Sequence, residues 1–292
     1  MIYEKVFTAT QGQHYDLDHY NTIINEHEAC GYNEKGDLLF VMLKGVLKHD
    51  NVQLAKDCFL EMSKKQNKNR GFAGGSVDGV VRKYIGNQSY SVSSQKSNIA
   101  GFYDRVLRQH TKHFQGKVVC RQTAFTLNNG DLWEKSFPFL QQVSCLYKQY
   151  GGVYYERQKK EYDCILDNLK VPDTVFTTIT TNLNFRTACH VDKGDFRDGL
   201  GVLCFVGDFK GGYVGFPEYK VCLKCEEGDV LLCNVHEYHC NTELSFDSDV
   251  DYRLSFVFYI RHDMKQCYEQ ALWNESKYEY YTPQKKIDLK VN

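Results

Sequence analysis

From Thr174 to Ile260 the chain consists of short runs rich in β-branched and aromatic residues, broken by glycines, and this spacing constrains the fold more than any other feature. The candidate strands are 175–181, 199–206, 219–225, 229–234 and 252–260, with Gly211-Gly212 and Glu227-Gly228-Asp229 marking turns between them. Strands this short and this closely spaced predict a sandwich or jelly-roll barrel. The first third reads differently. Leu38, Leu39, Met42, Leu43, Val46 and Leu47, then Leu54, Ala55, Cys58, Phe59 and Met62, recur at helical spacing, and 132–169 returns to that period. Helices followed by strands predict an α+β chain folded as a single domain over 1–292. Its expected parts are a mainly helical 1–98, a β-rich core over 99–265 and a tail over 266–292. Gly71, Gly74, Gly75, Gly79 and Gly86 fall in a Gly/Ser-rich stretch, 71–97, which reads as a mobile surface loop or, functionally, as a lid on the substrate side.

The chemistry-bearing residues concentrate in the β region. His190 and Asp192 stand two apart, so on a strand their side chains leave the same face and can grip one ion, whereas a helix would separate them. A third ligand is available in His236 or His239, both just beyond the apolar stretch Val230-Leu-Leu-Cys233. Two histidines and one carboxylate hold Fe(II) on one face and leave the other positions open, so the set reads as that of an oxygenase.

Alternation along 252–260 puts Tyr252, Leu254, Phe256, Phe258 and Ile260 on a core face, with Arg253, Ser255, Val257, Tyr259 and Arg261 on the other. Cations, a hydroxyl and a phenol make a poor core surface and a suitable wall for a ligand with a carboxylate and a planar group. Arg253, with Ser255 beside it, suits the cosubstrate 2-oxoglutarate, because a guanidinium binds a carboxylate through two parallel hydrogen bonds. The competing role for Arg253 is a salt bridge to Asp249 or Asp251. Tyr259, nearer Arg261, is assigned to the substrate.

Composition removes several alternatives. The formal net charge of -1 gives no global field for a polyanion, so a nucleic-acid surface has to be a local patch. Three are candidates: Lys64, Lys65, Lys68 and Arg70; Arg105, Arg108, His110, Lys112, His113, Lys117 and Arg121; and Arg157, Lys159 and Lys160. On charge alone each reads first as a solvated face and only second as a nucleic-acid surface. No secretory signal opens the sequence and no apolar run is long enough for a bilayer, which predicts an intracellular protein, nuclear if eukaryotic, acting as a monomer. The 12 Cys are scattered singly apart from Cys222-x-x-Cys225 and predict reduced thiols, with that pair as buried strand cysteines rather than half of a zinc site.

Several ordered segments carry a family resemblance. Asn184-Phe-Arg-Thr-Ala-Cys-His-Val-Asp-Lys-Gly-Asp-Phe196, Gly211-Gly-Tyr-Val-Gly-Phe-Pro217, Glu227-Gly-Asp-Val-Leu-Leu232, His239-Cys-Asn-Thr242 and Arg253-Leu-Ser-Phe-Val-Phe-Tyr259 resemble the TET/JBP family over residues 100 to 265. These are Fe(II)- and 2-oxoglutarate-dependent dioxygenases that oxidise the 5-methyl group of pyrimidines in nucleic acid. The resemblance implies a double-stranded β-helix core and the minimal catalytic unit of that family. It favours His239 over His236, which makes His190, Asp192 and His239 the implied iron ligands and Arg253 the anchor of 2-oxoglutarate. Asp195, five after His190, and Arg261, eight after Arg253, are implied to face a flipped base, 5-methylcytosine or thymine, in DNA, with RNA as the other polymer. Arg261 stands where the TET branch usually has His, which is closer to the JBP branch. Arg186, in the Phe-Arg-Thr segment, is a candidate for 2-oxoglutarate or a phosphate, or for a supporting salt bridge. The competing functions are a prolyl or other protein hydroxylase on the same fold and a non-catalytic nucleic-acid-binding module.

Overall fold

The structure is a computed structural model that describes residues 1–77, 80–85, 88–104, 118–267, 269–274 and 279–281. The chain divides into two compact units, one of Met1–Asn98, Thr180–Lys193 and Leu200–Val257, the other of Ile99–Ile179, Gly194–Gly199 and Phe258–Asn292. No helix among the described residues is long and apolar enough to cross a membrane.

Two sheets share one core in the first unit. In the larger, Ile2–Tyr3, Glu28–Asn33, Leu38–Leu43, Val230–Cys233 and Gly201–Val206 are neighbours in that order. The smaller runs Cys240–Asn241, Val214–Phe216, Val221–Leu223, Thr22–Ile24. Register fixes which residues meet: Leu43 opposes Val230 and Phe40 opposes Cys233, while Cys233 opposes Gly201 on its other side. Leu39, Phe40, Leu203, Phe205 and Leu231 from the larger sheet and Ile24, Val214, Phe216, Val221 and Leu223 from the smaller form one buried cluster. Phe40 stacks on Phe216 with centroids 6.3 Å apart. Two antiparallel-rich layers around such a core make the jelly-roll of an α+β fold.

The expectation of a mainly helical first third is corrected here. Its described part holds more strand than helix, with one α-helix, His49–Ser63, and the rest in turns and loops. Leu38–Leu43 is a strand buried at every position, and a short continuous apolar run fits a strand covered on both faces as well as it fits a helix. The helical spacing holds further on. His49–Ser63 buries Val52, Ala55, Cys58 and Phe59, and the Phe59 ring meets Phe256 edge-on at 5.5 Å. The Gly/Ser-rich 71–97 stretch contains a turn at Gly71–Gly74 and a hairpin pairing Arg82–Ile85 with Gln88–Ser91, in place of a structureless loop.

Helices dominate the second unit. Ala124–Asn128 is capped by the Thr123 hydroxyl, and Gly130–Lys135, Phe137–Tyr150 and Gly152–Asp163 follow. Phe139, Tyr147, Phe176 and Phe258 interlock, with centroids 5.6 Å (Phe139–Phe258), 6.1 Å (Tyr147–Phe176) and 5.3 Å (Phe176–Phe258) apart. Cys120 and Cys267 stand side by side with Cα atoms 5.7 Å apart, next to a parallel ladder in which Cys120 opposes Gln270. Their separation of 147 residues gives no spacing signal. Cys222 and Cys225 are buried strand-side thiols, each pushed up to about 12 by burial.

Candidate active site

In the first unit His190 and His239 face one another across an isolated antiparallel bridge, each amide donating to the other's carbonyl at 3.0 and 3.1 Å. This bridge, not a regular strand, sets the extended backbone that gives His190 and Asp192 a common side. Asp192 is fixed in turn by its amide on the Val235 carbonyl, 2.9 Å. The imidazole centroids are 4.3 Å apart.

Two backbone carbonyls decide what those rings can do. His190 Nδ1 lies 2.7 Å from the Ala188 carbonyl and His239 Nδ1 lies 2.9 Å from that of Glu237. A carbonyl only accepts, so each Nδ1 bears a proton, the tautomer that in a neutral ring leaves the lone pair on Nε2. Both Nε2 atoms turn to Asp192, at 3.6 Å from His190 to Oδ1 and 3.8 Å from His239 to Oδ2. One donor atom from each of the three residues lies within 4.8 Å of the others. Burial, helped by the neighbouring His190 and opposed by Asp192, pushes His239 down to about 4, so its ring is neutral at physiological pH, the form that binds metal. Two such nitrogens and a carboxylate fit a divalent first-row ion. His236 stands outside the group; its amide closes the turn on Asn234 Oδ1 at 3.1 Å.

Arg253 is 1% exposed, and among the described residues no carboxylate lies within salt-bridge distance of it. Its Nη1 donates to Ser255 Oγ at 3.3 Å and its Nε has no partner among the described residues. The rings of Phe205 and Phe209 cover it, 5.1 and 5.7 Å away. Burial pulls its pKa down to about 10, which leaves it charged at neutral pH. Asp251 does not provide the alternative salt bridge; its Oδ2 accepts from the Ser248 amide at 2.9 Å, and with Asp249 it lines a separate open cavity. A buried guanidinium without an anion is costly unless a ligand supplies one, and a carboxylate fits that need. Arg186 has its anion already. Its Nη2 meets Asp16 at 2.6 Å and its Nε the Asn241 carbonyl at 3.4 Å, the supporting salt bridge rather than an open cation.

Residues 101–262 match the Tet_JBP family, the oxygenase domain of the 2OGFeDO superfamily. The chain belongs to this family. It is similar to thymine dioxygenase JBP1-B of Trypanosoma cruzi, 34% identical over 188 residues that cover 62% of this chain and 21% of that protein. It is also similar to the bifunctional helicase and thymine dioxygenase JBP2 of Leishmania tarentolae, 38% identical over 166 residues, 56% of this chain and 14% of that one. The chain thus spans about a fifth or less of the curated relatives it matches. Among solved structures, NgTET1 in complex with 5mC DNA has a TM-score of 0.57 at 14% identity, covering 100% of this chain and 89% of that one. That likeness is one of fold, and it agrees with the jelly-roll built above.

The remaining candidates of this Tet_JBP chain lie in the second unit. Asp195 and Arg261 pair in an isolated antiparallel bridge, flanked by bonds from Phe196 N to Ile260 O at 2.8 Å and from His262 N to Gly194 O at 3.0 Å. The guanidinium of Arg261 lies against Gly194, where a Cβ would come within 2.9 Å of Nη1 and Nη2. It also stacks on Tyr103 at 4.3 Å and its Nε donates to Asp104 Oδ1 at 2.7 Å. Burial opposes the charge, but Tyr259, Tyr103 and Asp104 together raise the pKa of Arg261 above its ordinary range. Tyr259 is buried and its carbonyl accepts from the Thr177 amide at 3.2 Å. Asp104 and Tyr103 escaped the sequence reading because 157 residues separate Asp104 from the arginine it holds. Asp104, His262 and Asp263 also converge, but the Arg261 charge on Asp104 disfavours a second cation there. Of the basic patches, 105–117 lies outside the described residues, Lys64 pairs with Glu61 and Lys159 with Asp163.

Proposed function

We propose that this chain is an Fe(II)- and 2-oxoglutarate-dependent dioxygenase that hydroxylates the 5-methyl group of a pyrimidine extruded from DNA, with thymine as the first candidate and residues 1–292 acting as one catalytic domain. The observation that carries the reading is the buried Arg253 guanidinium, without an anion among the described residues, in the same unit as the His190–Asp192–His239 donor set. A non-catalytic binding module has no use for either, since an uncompensated buried charge costs stability. The relatives named as thymine dioxygenases support thymine over 5-methylcytosine.

His190 and His239 offer Nε2 and Asp192 a carboxylate oxygen to the iron, while Arg253, steadied by Ser255, holds the far carboxylate of 2-oxoglutarate. Bound in this way, iron, 2-oxoglutarate and dioxygen supply the oxidant that hydroxylates an unactivated methyl group. The methyl is shielded in a stacked duplex, so the base has to leave the stack. Arg261 is donor-only and Asp195 accepts, a set that suits thymine by donation to a ring carbonyl and acceptance of the N3 proton. Tyr259 is assigned to the same base, and the stretch 105–121 to flanking phosphates. For an enzyme of chromosomal DNA the expected compartment is the nucleus, if the source is eukaryotic.

The test is mass spectrometry of nucleosides after incubation with two oligonucleotides, one whose only 5-methylpyrimidine is thymine and one that carries 5-methylcytosine. Wild type is expected to give 5-hydroxymethyluracil from the first, with succinate formed in step. Arg261→Ala and Asp195→Ala are each expected to lower product at least about tenfold, the loss of one buried base contact, while binding Mn(II) and 2-oxoglutarate as before. Turnover of neither base in DNA or RNA would remove the nucleic-acid reading and favour a protein hydroxylase.

A further inference from the structure

The N-terminal segment, which lies outside the residues matched to the family, grips both histidine-bearing stretches of the first unit. Gly12 N donates to Cys189 O and Cys189 N to Gln13 O, each at 2.8 Å, directly before His190. Gly12 has φ +81°, the left-handed region, and a Cβ there would stand 3.3 Å from the Val81 side chain. On the other side, Lys5 Nζ bridges two carboxylates, Glu237 Oε2 at 2.6 Å and Glu218 Oε2 at 2.8 Å. Glu237 is the residue whose carbonyl receives the His239 Nδ1 proton. Glu218 in turn ties the segment down: its Oε1 accepts from Ala9 N at 3.0 Å and its carbonyl from Val6 N at 2.9 Å.

We infer that Lys5 is a positioning residue for the metal site: its ion pair with Glu237 fixes the turn whose carbonyl orients His239, and so aims the distal nitrogen ligand. The inference rests on the reading of His190, Asp192 and His239 as metal ligands. Three features raise this pair above an ordinary surface salt bridge, which contributes little. The Glu218 side chain is only 4% exposed and that of Glu237 18%, so removal of the ammonium strands partly desolvated carboxylates. Lys5 also lies over the Tyr219 ring at 5.3 Å, which restricts where its head can go. The turn itself is short, held by Glu237 N on Asn234 O at 3.1 Å, so a shift of the Glu237 side chain reaches its own carbonyl and hence the imidazole. A partner bonded directly to a metal ligand, as the Glu237 carbonyl is, is typically worth about 10- to 100-fold in metal affinity, and Lys5, which acts one step behind it, is assigned the lower end of that range.

The experiment measures Mn(II) affinity of the full chain by electron paramagnetic resonance, alongside thermal melting, for wild type, Lys5→Met, Lys5→Arg, Glu237→Gln, Lys5→Met/Glu237→Gln and Asp192→Ala. Lys5→Met is expected to weaken Mn(II) about tenfold while it melts cooperatively. Lys5→Arg should recover most of that affinity, and the double variant should bind little worse than either single one, because both remove the same pair. If Lys5→Met fails to fold, Glu237→Gln carries the test, since it keeps the carbonyl and the Lys5–Glu218 pair. Wild-type affinity in both Lys5→Met and Glu237→Gln, with Mn(II) binding lost in Asp192→Ala, overturns the inference alone. Undiminished binding in Asp192→Ala overturns the ligand reading beneath it.

Discussion

Asp192→Ala is expected to abolish turnover and to weaken Mn(II) or Fe(II) binding by more than about a hundredfold. That bound follows from the groups hydrogen-bonded to metal ligands, whose removal already costs up to that much. Asp192 is the carboxylate toward which both Nε2 atoms turn, at 3.6 and 3.8 Å, and the single anionic donor of the group. Without it two imidazoles remain, 4.3 Å apart, with no anion to offset a dication. The backbone of the site should survive, because the His190–His239 bridge and the Asp192 amide bond to Val235 involve no Asp192 side-chain atom. Isothermal titration with Mn(II) and a thermal melt separate loss of ligand from loss of fold. Metal affinity equal to wild type would take Asp192 out of the site. The companion comparison is His239→Ala against His236→Ala: the first is expected to lose binding and the second to keep it, since His236 stands outside the donor group.

How much of this was legible in the sequence depends on the distance over which each signal acts. The face of the last strand is set by alternation, a local property, and Leu254, Phe256 and Phe258 are each 0% exposed in Leu254–Tyr259. The nearness of His190 to Asp192 is local too, although an isolated bridge and not a strand produces it. The first third misled because Leu38–Leu43 is apolar at every position, so period carries no information and packing on both faces decides. Pairings across long separations left no trace at all. Cys120 with Cys267, Asp104 with Arg261 and Lys5 with Glu237 join residues that no spacing rule connects, and only the folded chain brings them together. The state of Arg253 was half legible. Alternation placed it on the polar face, but that no acid of the described chain answers its charge is a property of packing.

That state makes Arg253 the most informative residue to change. Arg253→Ala is expected to raise the 2-oxoglutarate requirement by roughly thirty- to a thousandfold, the equivalent of about 2 to 4 kcal/mol for a charge-assisted pair to a carboxylate. Arg253→Lys should recover only part, since an ammonium offers a point charge in place of a planar fork, and Phe205 and Phe209 cover a flat cation better than a compact one. Stability should move the opposite way. A cation whose folded pKa is lowered, here by burial to about 10, weakens the fold at every pH below that value, and the penalty is relieved only as pH rises from there toward the unfolded value. At neutral pH the charge therefore works against the ligand-free fold, and its removal without loss of volume should be neutral or stabilising, as with other buried charges replaced by apolar groups. Arg253→Met is thus expected to melt at or above the temperature of the ligand-free wild type and to be stabilised by Mn(II), yet to gain nothing further from 2-oxoglutarate added to the Mn(II) form, whereas wild type should be stabilised by each. A variant that melts lower than wild type and still responds to 2-oxoglutarate would show that Arg253 is a structural cation and that the dicarboxylate is held elsewhere.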